Sequence, residues 1–572
     1  MVSSTEPQWL VAECDEDSAA ALAAESGIPA AAGRALFLRG LTSAREVERF
    51  LNPSLDHLHD PSLLPDLDVG VDRIAAAVSS GERICVYGDY DADGVTSAAL
   101  LVRTLRALRA DVTYRLPHRR REGYDIKPSS VDEAAGDGVR VILTCDCGVT
   151  AVETAVRANE LGIDLVITDH HEPGPELPAA RAVVDPKRLD AAYPFPQLAG
   201  VGVAFKFAQG LVRRLGFDEQ KFLERFVDLA ALGTVSDVVP LIDENRAIVK
   251  HGLNAIPHSK KLGLQTMLRA TRLLGKPLTA HSLGYVLGPR INAVGRLEDA
   301  STALRLLLTR DEAEAGSLMA EMERCNSERR AEQDRMLREA LEQIECKDVG
   351  NSHVLVLSRE GWNTGVVGIV AQKICELYAR PTVLISRDEA SGTGGGSARS
   401  TPDFNLIEGL RGCTDLLSRF GGHASAAGIS LDLANIEQFE NRLAELAREA
   451  IGEEVPPVCV EMDAELAPEQ ITRELADVLV AMEPFGTGNP EPLFLTRGLV
   501  VDRRERVGDG SHLKMSLGSD GAAPLECIAF GMGEVTPRIQ PGSRVDLCYH
   551  IRLNTFNGTQ SVQLVGRGIR PS

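Results

Sequence analysis

Residues 83–94 read Arg83-Ile84-Cys85-Val86-Tyr87-Gly88-Asp89-Tyr90-Asp91-Ala92-Asp93-Gly94. The apolar run at the start of this segment predicts a buried β-strand, and a helical pattern follows from Val95 to about Leu108. The three acids therefore lie where a strand ends and a helix begins, which is the edge of an open α/β sheet at which ligands bind. Because carboxylates this close repel one another, a hard divalent cation between them is the natural occupant.

Two other interpretations of the acidic motif compete with this one. Asp-x-Asp-x-Asp-Gly also opens an EF-hand loop, but that loop needs Glu at its twelfth position, which is Leu100 here, and the segment in front reads as a strand. The motif alone also fits a solvated acidic turn without a metal. The recurrence of the pattern further along the chain favours the metal site.

A predicted strand that ends in an acid recurs along the chain. One apolar run ends at Asp146, the next ends at Asp169-His170-His171, and Asp237 follows an apolar helical run. Such β-branched runs are typical of parallel strands buried on both faces, whose carboxyl ends lie on one edge of the sheet. Acids and an imidazole from four segments are thus expected in one crevice. This mixture of ligands suits Mn²⁺ or Mg²⁺.

Composition limits the class of protein. The chain has 572 residues, of which 44% are hydrophobic and 25% charged, as expected for about two to four globular domains. It shows no apolar stretch of membrane-spanning length and no signal-peptide pattern. The eleven cysteines lack paired CxxC spacing, which predicts reduced cytoplasmic thiols, with zinc at Cys145 and Cys147 as an alternative. The net charge of −21 argues against whole-surface binding of nucleic acid and leaves a local basic groove possible.

Two segments are candidate phosphate contacts. A basic run that contains Arg119 and Arg120 follows the second predicted strand near the acidic edge. A segment interpreted as a Gly-rich loop carries Arg290, Asn292 and Arg296, whose side chains can form forked hydrogen bonds to phosphate oxygens. A solvated face and surface salt bridges are the alternative interpretations.

The second half of the chain predicts two further domains. A long connecting helix ends near Glu345, and a second, smaller α/β unit follows it. Two segments of that unit, 391–400 and 420–428, are interpreted as Gly-rich loops that let a backbone approach phosphate closely, although tight turns alone also explain them. About five short strands after residue 455 predict a small OB-like barrel, a fold that binds single strands.

Several motifs together resemble one known family. Asp-Tyr-Asp-Ala-Asp-Gly at 89–94 and Asp-His-His at 169–171 are similar to the motifs of the DHH phosphoesterases. Gly-Gly-His-Ala-Ser-Ala-Ala-Gly at 421–428 resembles the motif of their associated DHHA1 domain. Gly-Pro-Arg-Ile-Asn-Ala at 288–293 and the terminal barrel narrow the resemblance to the exonucleases of this family that degrade single-stranded DNA 5′→3′.

The resemblance implies an α/β fold class with a parallel-sheet DHH domain, a long connecting helix, a smaller α/β DHHA1 domain and a C-terminal OB-like β-barrel. The expected limits, in chain order, are an N-terminal extension packed on the DHH domain (1–80), the DHH domain (81–255), a connecting helical region (256–348), the DHHA1 domain (349–455) and the barrel (456–572).

The resemblance also implies roles for individual residues. Two divalent ions, Mn²⁺ or Mg²⁺, would be surrounded by Asp89, Asp91, Asp93, Asp146, His170 and Asp237. The catalytic group would be His171, beside the scissile phosphate, together with Asp91, Asp93 and Asp146. DNA contacts are expected from Arg119, Arg120, Arg290, Asn292 and Arg296, and on the DHHA1 side from Ser397, Arg399 and His423. Asn363 stands where relatives often carry His, so it receives no role.

The implied activity is metal-dependent degradation of single-stranded DNA to nucleoside 5′-monophosphates in DNA repair and recombination, with one strand entering between the two α/β domains. The expected partners are single-stranded DNA, a single-strand-binding protein and a recombination helicase, and the chain is expected to be a cytoplasmic monomer without membrane contact. One alternative is a DHH phosphodiesterase of short oligonucleotides or cyclic dinucleotides, which the barrel disfavours. The other is a non-catalytic single-strand-binding scaffold, which the complete set of acids and histidines disfavours.

Overall fold

The computed structural model describes residues 7–119, 121–347, 352–453, 459–518, 524–556 and 558–572. Arg120, one of the predicted DNA contacts, lies outside the described residues. The chain divides into two compact units. The larger unit holds residues 11–295, 299–322 and 461–572, and the smaller unit holds residues 296–298 and 323–460 together with the N-terminal strand up to Leu10.

The N-terminal segment is mainly helical, as its sequence predicts. It contains β1 (Gln8–Val11), α1 (Glu16–Ser26), α2 (Ala30–Phe37), α3 (Ala44–Leu51) and α4 (Leu67–Ser80). The start of α3 shows why a helix begins there, since Ser43 and Glu46 form a reciprocal capping box.

A parallel sheet with intervening helices follows, as predicted from the apolar runs. Its elements are β2 (Ile84–Gly88), α5 (Ala92–Ala107), β3 (Val112–Arg115), α6 (Pro128–Gly136), β4 (Val141–Cys145), α7 (Val152–Glu160), β5 (Asp164–Thr168) and β6 (Ala182–Val184). The strand order is β3-β2-β4-β5-β6, and every neighbouring pair is parallel. The chain leaves β2 for β3 on one side and then returns to place β4 on the other side of β2. The order of the strands therefore reverses between β2 and β4, which is the topological switch point of an open sheet.

Six further helices complete this part of the larger unit: α8 (Gly200–Arg214), α9 (Glu219–Ser236), α10 (Asp243–Ala255), α11 (Leu262–Ala270), α12 (Gly288–Leu297) and α13 (Ser301–Leu308). Helix α5 packs against α8 and α9 and is buried along almost its whole length. Small and apolar residues on its packed faces, such as Val95, Ala98 and Leu101, explain this position.

The Gly-rich loop predicted around Arg290 was wrong, because this segment is helix α12. Its glycines allow close packing. A Cβ on Gly295 would lie 2.5 Å from the carbonyl oxygen of Tyr90, and a Cβ on Gly288 would lie 2.4 Å from Ser236 Oγ. The sequence analysis interpreted these glycines as part of a loop. In the structure they lie inside a helix, where neighbouring atoms leave no room for a Cβ.

A long helix, α14 (Glu312–Glu345), leads into the smaller unit, which contains β7 (Leu355–Glu360), α15 (Val367–Tyr378), β8 (Thr382–Asp388), β9 (Thr393–Arg399), α16 (Leu406–Arg411), β10 (Arg419–Gly422), β11 (Ala426–Asp432) and α17 (Ile436–Ile451). The sheet order is β10-β11-β9-β8-β7. The two Gly-rich loops predicted here were also wrong, because they form β9 and the hairpin β10–β11. A Cβ on Gly396 would lie 2.5 Å from the carbonyl oxygen of Leu384, so glycine permits close strand packing there.

The C-terminal part consists of β12 (Cys459–Met462), β13 (Ala464–Glu465), α18 (Arg473–Ala481), β14 (Phe494–Val507), β15 (His512–Gly518), β16 (Leu525–Ala529), β17 (Arg544–Phe556) and β18 (Thr559–Pro571). The order β14-β15-β16-β18-β17 closes on itself because β17 also pairs with β14. The predicted barrel is therefore confirmed, with no open edge among these five strands.

The N-terminal extension differs from its prediction. Helix α4 packs on α8 and β6, as expected for a segment that covers the parallel sheet. Helices α1, α2 and α3 instead place Leu22, Leu36 and Val47 in one hydrophobic core with Phe494 and Tyr549 of the barrel. An amphipathic pattern shows which face of a helix is buried and does not show which partner covers that face.

Arg246 of α10 ties this barrel region to the rest of the larger unit. Its side chain is 2% exposed, and its guanidinium lies 3.7 Å from the centre of the Phe50 ring. It donates hydrogen bonds to the backbone carbonyls of five residues: Phe50, Ala481, Met482, Glu483 and Pro484. Four of these carbonyls lie at or just beyond the C-terminal end of α18, where carbonyl groups lack partners inside the helix.

None of the helices that the structure describes combines the length and the apolar character needed to cross a bilayer.

We expect Arg246→Met to destabilise the protein by about 3 kcal/mol, because several buried carbonyls would lose their donors together. Urea unfolding followed by circular dichroism measures the loss. Arg497→Met is the matched control, since this arginine is exposed and its surface ion pairs contribute little. Equal unfolding midpoints for Arg246→Met and the control would show that Arg246 does not hold the two regions together.

Candidate metal centre

The acids predicted to converge do so at the switch point of the parallel sheet. Asp89 follows β2, Asp146 follows β4, His170 follows β5 and Asp237 follows α9. Ligand atoms within 4.8 Å of one another form three overlapping groups: Asp89 with Asp91 and Asp146, Asp93 with His170 and Asp237, and Asp146 with His170 and His171. The overlap makes this one continuous cluster.

The first turn of α5 holds Asp91 and Asp93 in place. Asp91 is the N-cap of this helix, and its Oδ1 accepts the backbone N–H groups of Asp93 at 2.9 Å and Gly94 at 3.1 Å. Asp93 accepts the N–H groups of Gly200 at 2.7 Å and Val201 at 2.8 Å. Two helix N-termini, those of α5 and α8, therefore direct their positive ends toward the acids, which favours carboxylates there.

Close backbone approach explains the glycine at the start of α8. A Cβ on Gly200 would lie 2.5 Å from Asp146 Oδ1, which is closer than any side chain tolerates. Asp146 itself has φ of +64°, a left-handed conformation that costs energy in most residues and that often marks functional sites. The sequence analysis does not single out Gly200, and so missed its contact with the acids.

His170 presents one ring nitrogen to the acids. Its Nδ1 lies 3.1 Å from the carbonyl oxygen of Leu198 and donates to it, which leaves the lone pair on Nε2. Nε2 lies 3.1 Å from Asp146 Oδ1, 3.7 Å from Asp237 Oδ2 and 3.9 Å from Asp93 Oδ2. Burial, with a further effect of the His171 charge, lowers the pKa of His170 to about 3. The ring is therefore neutral, as a metal ligand must be.

The electrostatics of the cluster call for a cation. Burial and then the charge of Asp91 raise the pKa of Asp93 to about 7, and burial with the neighbouring acids raises the pKa of Asp146 well above its usual range. The pKa values of Asp89 and Asp237 shift in the same direction, and burial is again the largest cause. Three buried polar atoms of the cluster have no hydrogen-bond partner among the described residues: Asp89 Oδ1, Asp146 Oδ1 and His170 Nε2. Oxygen and imidazole donors left unpaired in this way fit a hard divalent ion.

His171 differs from its neighbour because Asp169 holds it. Its Nδ1 donates to Asp169 Oδ1 at 2.8 Å. Burial alone would lower the pKa of His171, but the hydrogen bond and charge of Asp169 outweigh burial and raise it to about 9. Asp169 is fully buried, and it also accepts the backbone N–H groups of Val149, His170 and His171. These bonds fix both histidines relative to the strand end.

Tyr124 is a site residue that the sequence interpretation missed. Its hydroxyl lies 3.0 Å from His171 Nδ1 and donates to the carbonyl of Asp146 at 3.4 Å. The ring meets that of His171 edge-on at 5.3 Å between centres. The sequence shows an aromatic residue just after a basic run, a pattern that is equally typical of an exposed surface segment.

The predicted DNA contacts of the larger unit lie in different environments. Arg119 stands over the ring of Tyr90 at 4.9 Å, next to the acids. Arg290 is 9% exposed and donates to the carbonyl of Val286 at 2.6 Å. Asn292 Oδ1 accepts the N–H of Ala92 at 2.7 Å and thereby supports the first turn of α5. Asn292 therefore positions the acids, a role that its motif did not reveal.

The predicted contacts of the smaller unit lie on its sheet and beside it. Arg399 donates to Ser397 Oγ and to the carbonyl of Ala398, both at 2.8 Å, so two polar groups on one face of β9 are joined. His423 is exposed in the turn between β10 and β11. Arg296 donates to the carbonyl of Gly365 at 2.7 Å.

Family models cover three parts of the chain. The DHH family N-terminal domain matches residues 83–234, the DHHA1 domain matches residues 351–450 and the RecJ OB domain matches residues 462–567. The first of these ranges contains the whole acidic cluster apart from Asp237. The fold class predicted from the motifs is thereby confirmed.

Relatives extend along nearly the whole chain. The single-stranded-DNA-specific exonuclease RecJ of Bacillus subtilis (strain 168) is 38% identical over 98% of this chain and 70% of its own length, and that of Escherichia coli (strain K12) is 35% identical over 97% of this chain and 98% of its own length. The crystal structure of RecJ in complex with Mn²⁺ from Thermus thermophilus matches with a TM-score of 0.82 and 33% identity, covering 99% of this chain and 80% of that chain. The chain belongs to the RecJ family of single-stranded-DNA-specific exonucleases.

Proposed function

We propose that this chain is a metal-dependent exonuclease that degrades single-stranded DNA from its 5′ end and releases nucleoside 5′-monophosphates in DNA repair and recombination. The observation that carries the proposal is the buried cluster of acids and imidazole at the switch point, in a member of the RecJ family. The closed barrel supports it, because barrels of this kind bind single strands through stacking and backbone charge.

Two Mn²⁺ or Mg²⁺ ions are the proposed cofactors. Their proposed ligands are six of the seven side chains of the cluster: Asp89, Asp91, Asp93, Asp146, His170 and Asp237. When bound, such a pair of ions supplies a water of lowered pKa as nucleophile and stabilises charge on the leaving oxygen. The unpaired atoms Asp89 Oδ1, Asp146 Oδ1 and His170 Nε2 support this assignment, since each points to a missing partner.

His171 is the proposed residue that faces the phosphodiester. Asp169 keeps it protonated at neutral pH, so its remaining ring N–H offers both a positive charge and a proton to a phosphate oxygen. Tyr124 and Asp169 hold the ring from the other side, which fixes its orientation before the substrate arrives. Asp91, Asp93 and Asp146 complete the proposed catalytic group as residues that would hold the ions.

Eight side chains are the proposed DNA contacts: Arg119, Arg120, Arg290, Asn292, Arg296, Ser397, Arg399 and His423. Arg119 has the strongest support in the larger unit, because it stands beside the acids with its cation over an aromatic ring. Arg290 has less support, since it is buried. In the smaller unit, the bond between Arg399 and Ser397 makes a preformed polar pair that suits a phosphate oxygen.

The proposed setting is the cytoplasm, where the chain would work as a monomer with a single-strand-binding protein and a recombination helicase. No disulfide joins two cysteines in the part of the chain that the structure describes, and Cys145 and Cys147 are fully buried, as in proteins of a reducing compartment. Burial raises the pKa of both these thiols, which removes support for zinc bound between them.

The function is tested with a single-stranded oligonucleotide that carries a label at either end. We expect the 5′ label to be released first in the presence of Mn²⁺, no release in EDTA and little cleavage of the same sequence as a blunt duplex. Release of the 3′ label first would overturn the polarity. Faster cleavage of a dinucleotide than of the long strand would favour a phosphodiesterase of short substrates. Heat of Mn²⁺ binding without hydrolysis of any strand would favour a scaffold.

We expect Asp146→Asn to weaken Mn²⁺ binding by about 100-fold or more and to abolish cleavage while strand binding persists. The reason is that Asp146 belongs to two of the three ligand groups. Calorimetric titration with Mn²⁺ measures the affinity, and Asp68→Asn, an exposed acid of α4, is the control. Normal cleavage by Asp146→Asn would remove the site assignment.

The stability of the metal-free protein should fall as pH rises from about 4 to about 7. Asp93 has a folded pKa of about 7, above its ordinary value of 3.8, so in this window the folded state binds protons that the unfolded state has lost. Stability then decreases with pH, and Mn²⁺ restores it above pH 7 by binding the charged acids. Melting temperatures in EDTA and in Mn²⁺ between pH 4 and 8 measure the effect. If Mn²⁺ raised the melting temperature equally at pH 5 and pH 8, that result would contradict the prediction.

We expect Asp169→Asn to shift the alkaline limb of the cleavage rate from about pH 9 to near or below the ordinary histidine value of 6.5. Without Asp169, only the smaller effects of the Asp237 and Asp91 charges oppose burial, so the pKa of His171 falls. Rates at saturating Mn²⁺ across pH 5–10 measure the shift, and NMR titration of the metal-free protein, assigned with His171→Gln, reads the ring directly. Identical profiles in wild type and variant would show that His171 does not act as the acid.

A further inference from the structure

A second polar cavity lies at the far end of the helices that carry the metal centre. Asp93 is in the first turn of α5 and Arg106 is in the last, thirteen residues away, which is about 20 Å along a helix. Arg225 is likewise in the N-terminal half of α9, whereas Asp237 follows the C-terminal end of that helix. The cavity is therefore separate from the acidic cluster.

Four arginines converge on this cavity, which has a volume of about 800 Å³: Arg103, Arg106, Arg225 and Arg310. An adjoining cavity of about 460 Å³ shares Arg103 and Arg225 and adds Lys260. The apolar part of the larger cavity comes from Ala107, Phe226 and Leu308. Such a concentration of arginine is unusual in a chain with a net charge of −21, and all of it lies within the larger unit.

Two carboxylates, those of Asp311 and Glu314, line the cavity together with the four arginines. In the part of the chain that the structure describes, none of the four forms an ion pair. The nearby acids are already engaged. Glu314 binds Arg305 and Thr309 Oγ1, Asp311 accepts the N–H of Glu314 and so caps the start of α14, and Asp228 is held by Lys261 through two bonds of 2.8 Å.

Arg103 lines the cavity together with the other three arginines. Its Nη1 group donates to the carbonyl of Leu307 at 2.7 Å, near the C-terminal end of α13. Burial lowers the pKa of this guanidinium, the charge of Asp228 partly opposes that shift, and the charges of Arg310, Arg225 and Arg106 lower the pKa further. The four cations of the lining outnumber its two carboxylates, so an anion in the cavity would stabilise the arrangement.

We propose that this arginine cavity binds phosphate groups of a ligand other than the phosphodiester at the metal centre, either a free phosphate ester such as a mononucleotide or a second stretch of nucleic-acid backbone. Phosphate fits best because guanidinium forks match its oxygens in pairs and because four cations need a compact, multiply charged partner. The apolar wall formed by Phe226 and Leu308 suits the base or sugar attached to that phosphate. This site is independent of the proposed nuclease activity.

The test uses the full chain in EDTA, so that neither cleavage nor metal-bound phosphate contributes. Arg225→Gln and Arg310→Gln each remove one exposed arginine of the cavity, and Arg214→Gln removes an exposed arginine of α8 outside it. One arm titrates inorganic phosphate and deoxyadenosine 5′-monophosphate by calorimetry. A second arm measures binding of a 30-nucleotide strand by anisotropy at several salt concentrations. A third arm titrates hexaglutamate.

If the free ester is the ligand, affinity for phosphate and the nucleotide should fall about tenfold in each cavity variant and not in Arg214→Gln. If the strand is the ligand, the slope of log K against log salt should decrease by about 0.7 for each lost contact. Equal results for all three variants in both arms would overturn the proposal. Binding of hexaglutamate that depends on Arg225, with no response to phosphate or strand, would overturn it as well and would assign the cavity to an acidic peptide. Unchanged circular dichroism spectra verify that the variants fold.

Discussion

Repulsion among buried carboxylates is the constraint on which the rest of the structure depends. Asp89, Asp93 and Asp146 are each at most 3% exposed and lie within a few ångströms of one another. Burial and mutual charge both raise their pKa values, so without a cation the fold either protonates them or is strained by them. A protein keeps such an arrangement only where a bound cation relieves it, which is why this cluster marks a functional site rather than a stabilising one.

The fold reduces this repulsion with backbone groups and, to a smaller extent, with the charge of His171. The N–H groups at the starts of α5 and α8 bind Asp91 and Asp93, and the glycine at position 200 lets the start of α8 approach Asp146. A lysine or arginine in the same place would neutralise the acids permanently and would compete with a metal ion. Partial charges of helix ends stabilise the carboxylates without occupying the space between them. The positive φ of Asp146 fits the same requirement, because it turns the carboxylate inward from a strand end.

The sequence predicted the parts of the site that follow from periodicity and topology. Strand-end acids such as Asp89 and Asp146 had to share an edge once their strands were parallel, and they do. The glycines at 288 and 295 were interpreted as loop residues, because the sequence does not distinguish a glycine that permits close helix packing from one that permits a turn. Tyr124 and the capping role of Asn292 depend on contacts between residues distant in the chain, at 3.0 Å to His171 and 2.7 Å to Ala92, and such contacts leave no local pattern. The core shared by α2 and the barrel was hidden for the same reason.

Two adjacent histidines show that the surroundings of a side chain, and not its residue type alone, determine its protonation state. His170 and His171 have ring centres 4.5 Å apart, yet their pKa values move in opposite directions. His170 donates its N–H to the neutral carbonyl of Leu198. Burial therefore dominates its pKa, and the ring stays uncharged with a free lone pair. His171 donates its N–H to the buried Asp169. The negative charge of that partner therefore dominates the pKa of His171, and the ring stays charged. The charge of His171 adds to the effect of burial and lowers the pKa of His170 further, because each ring's charge lowers the proton affinity of the other.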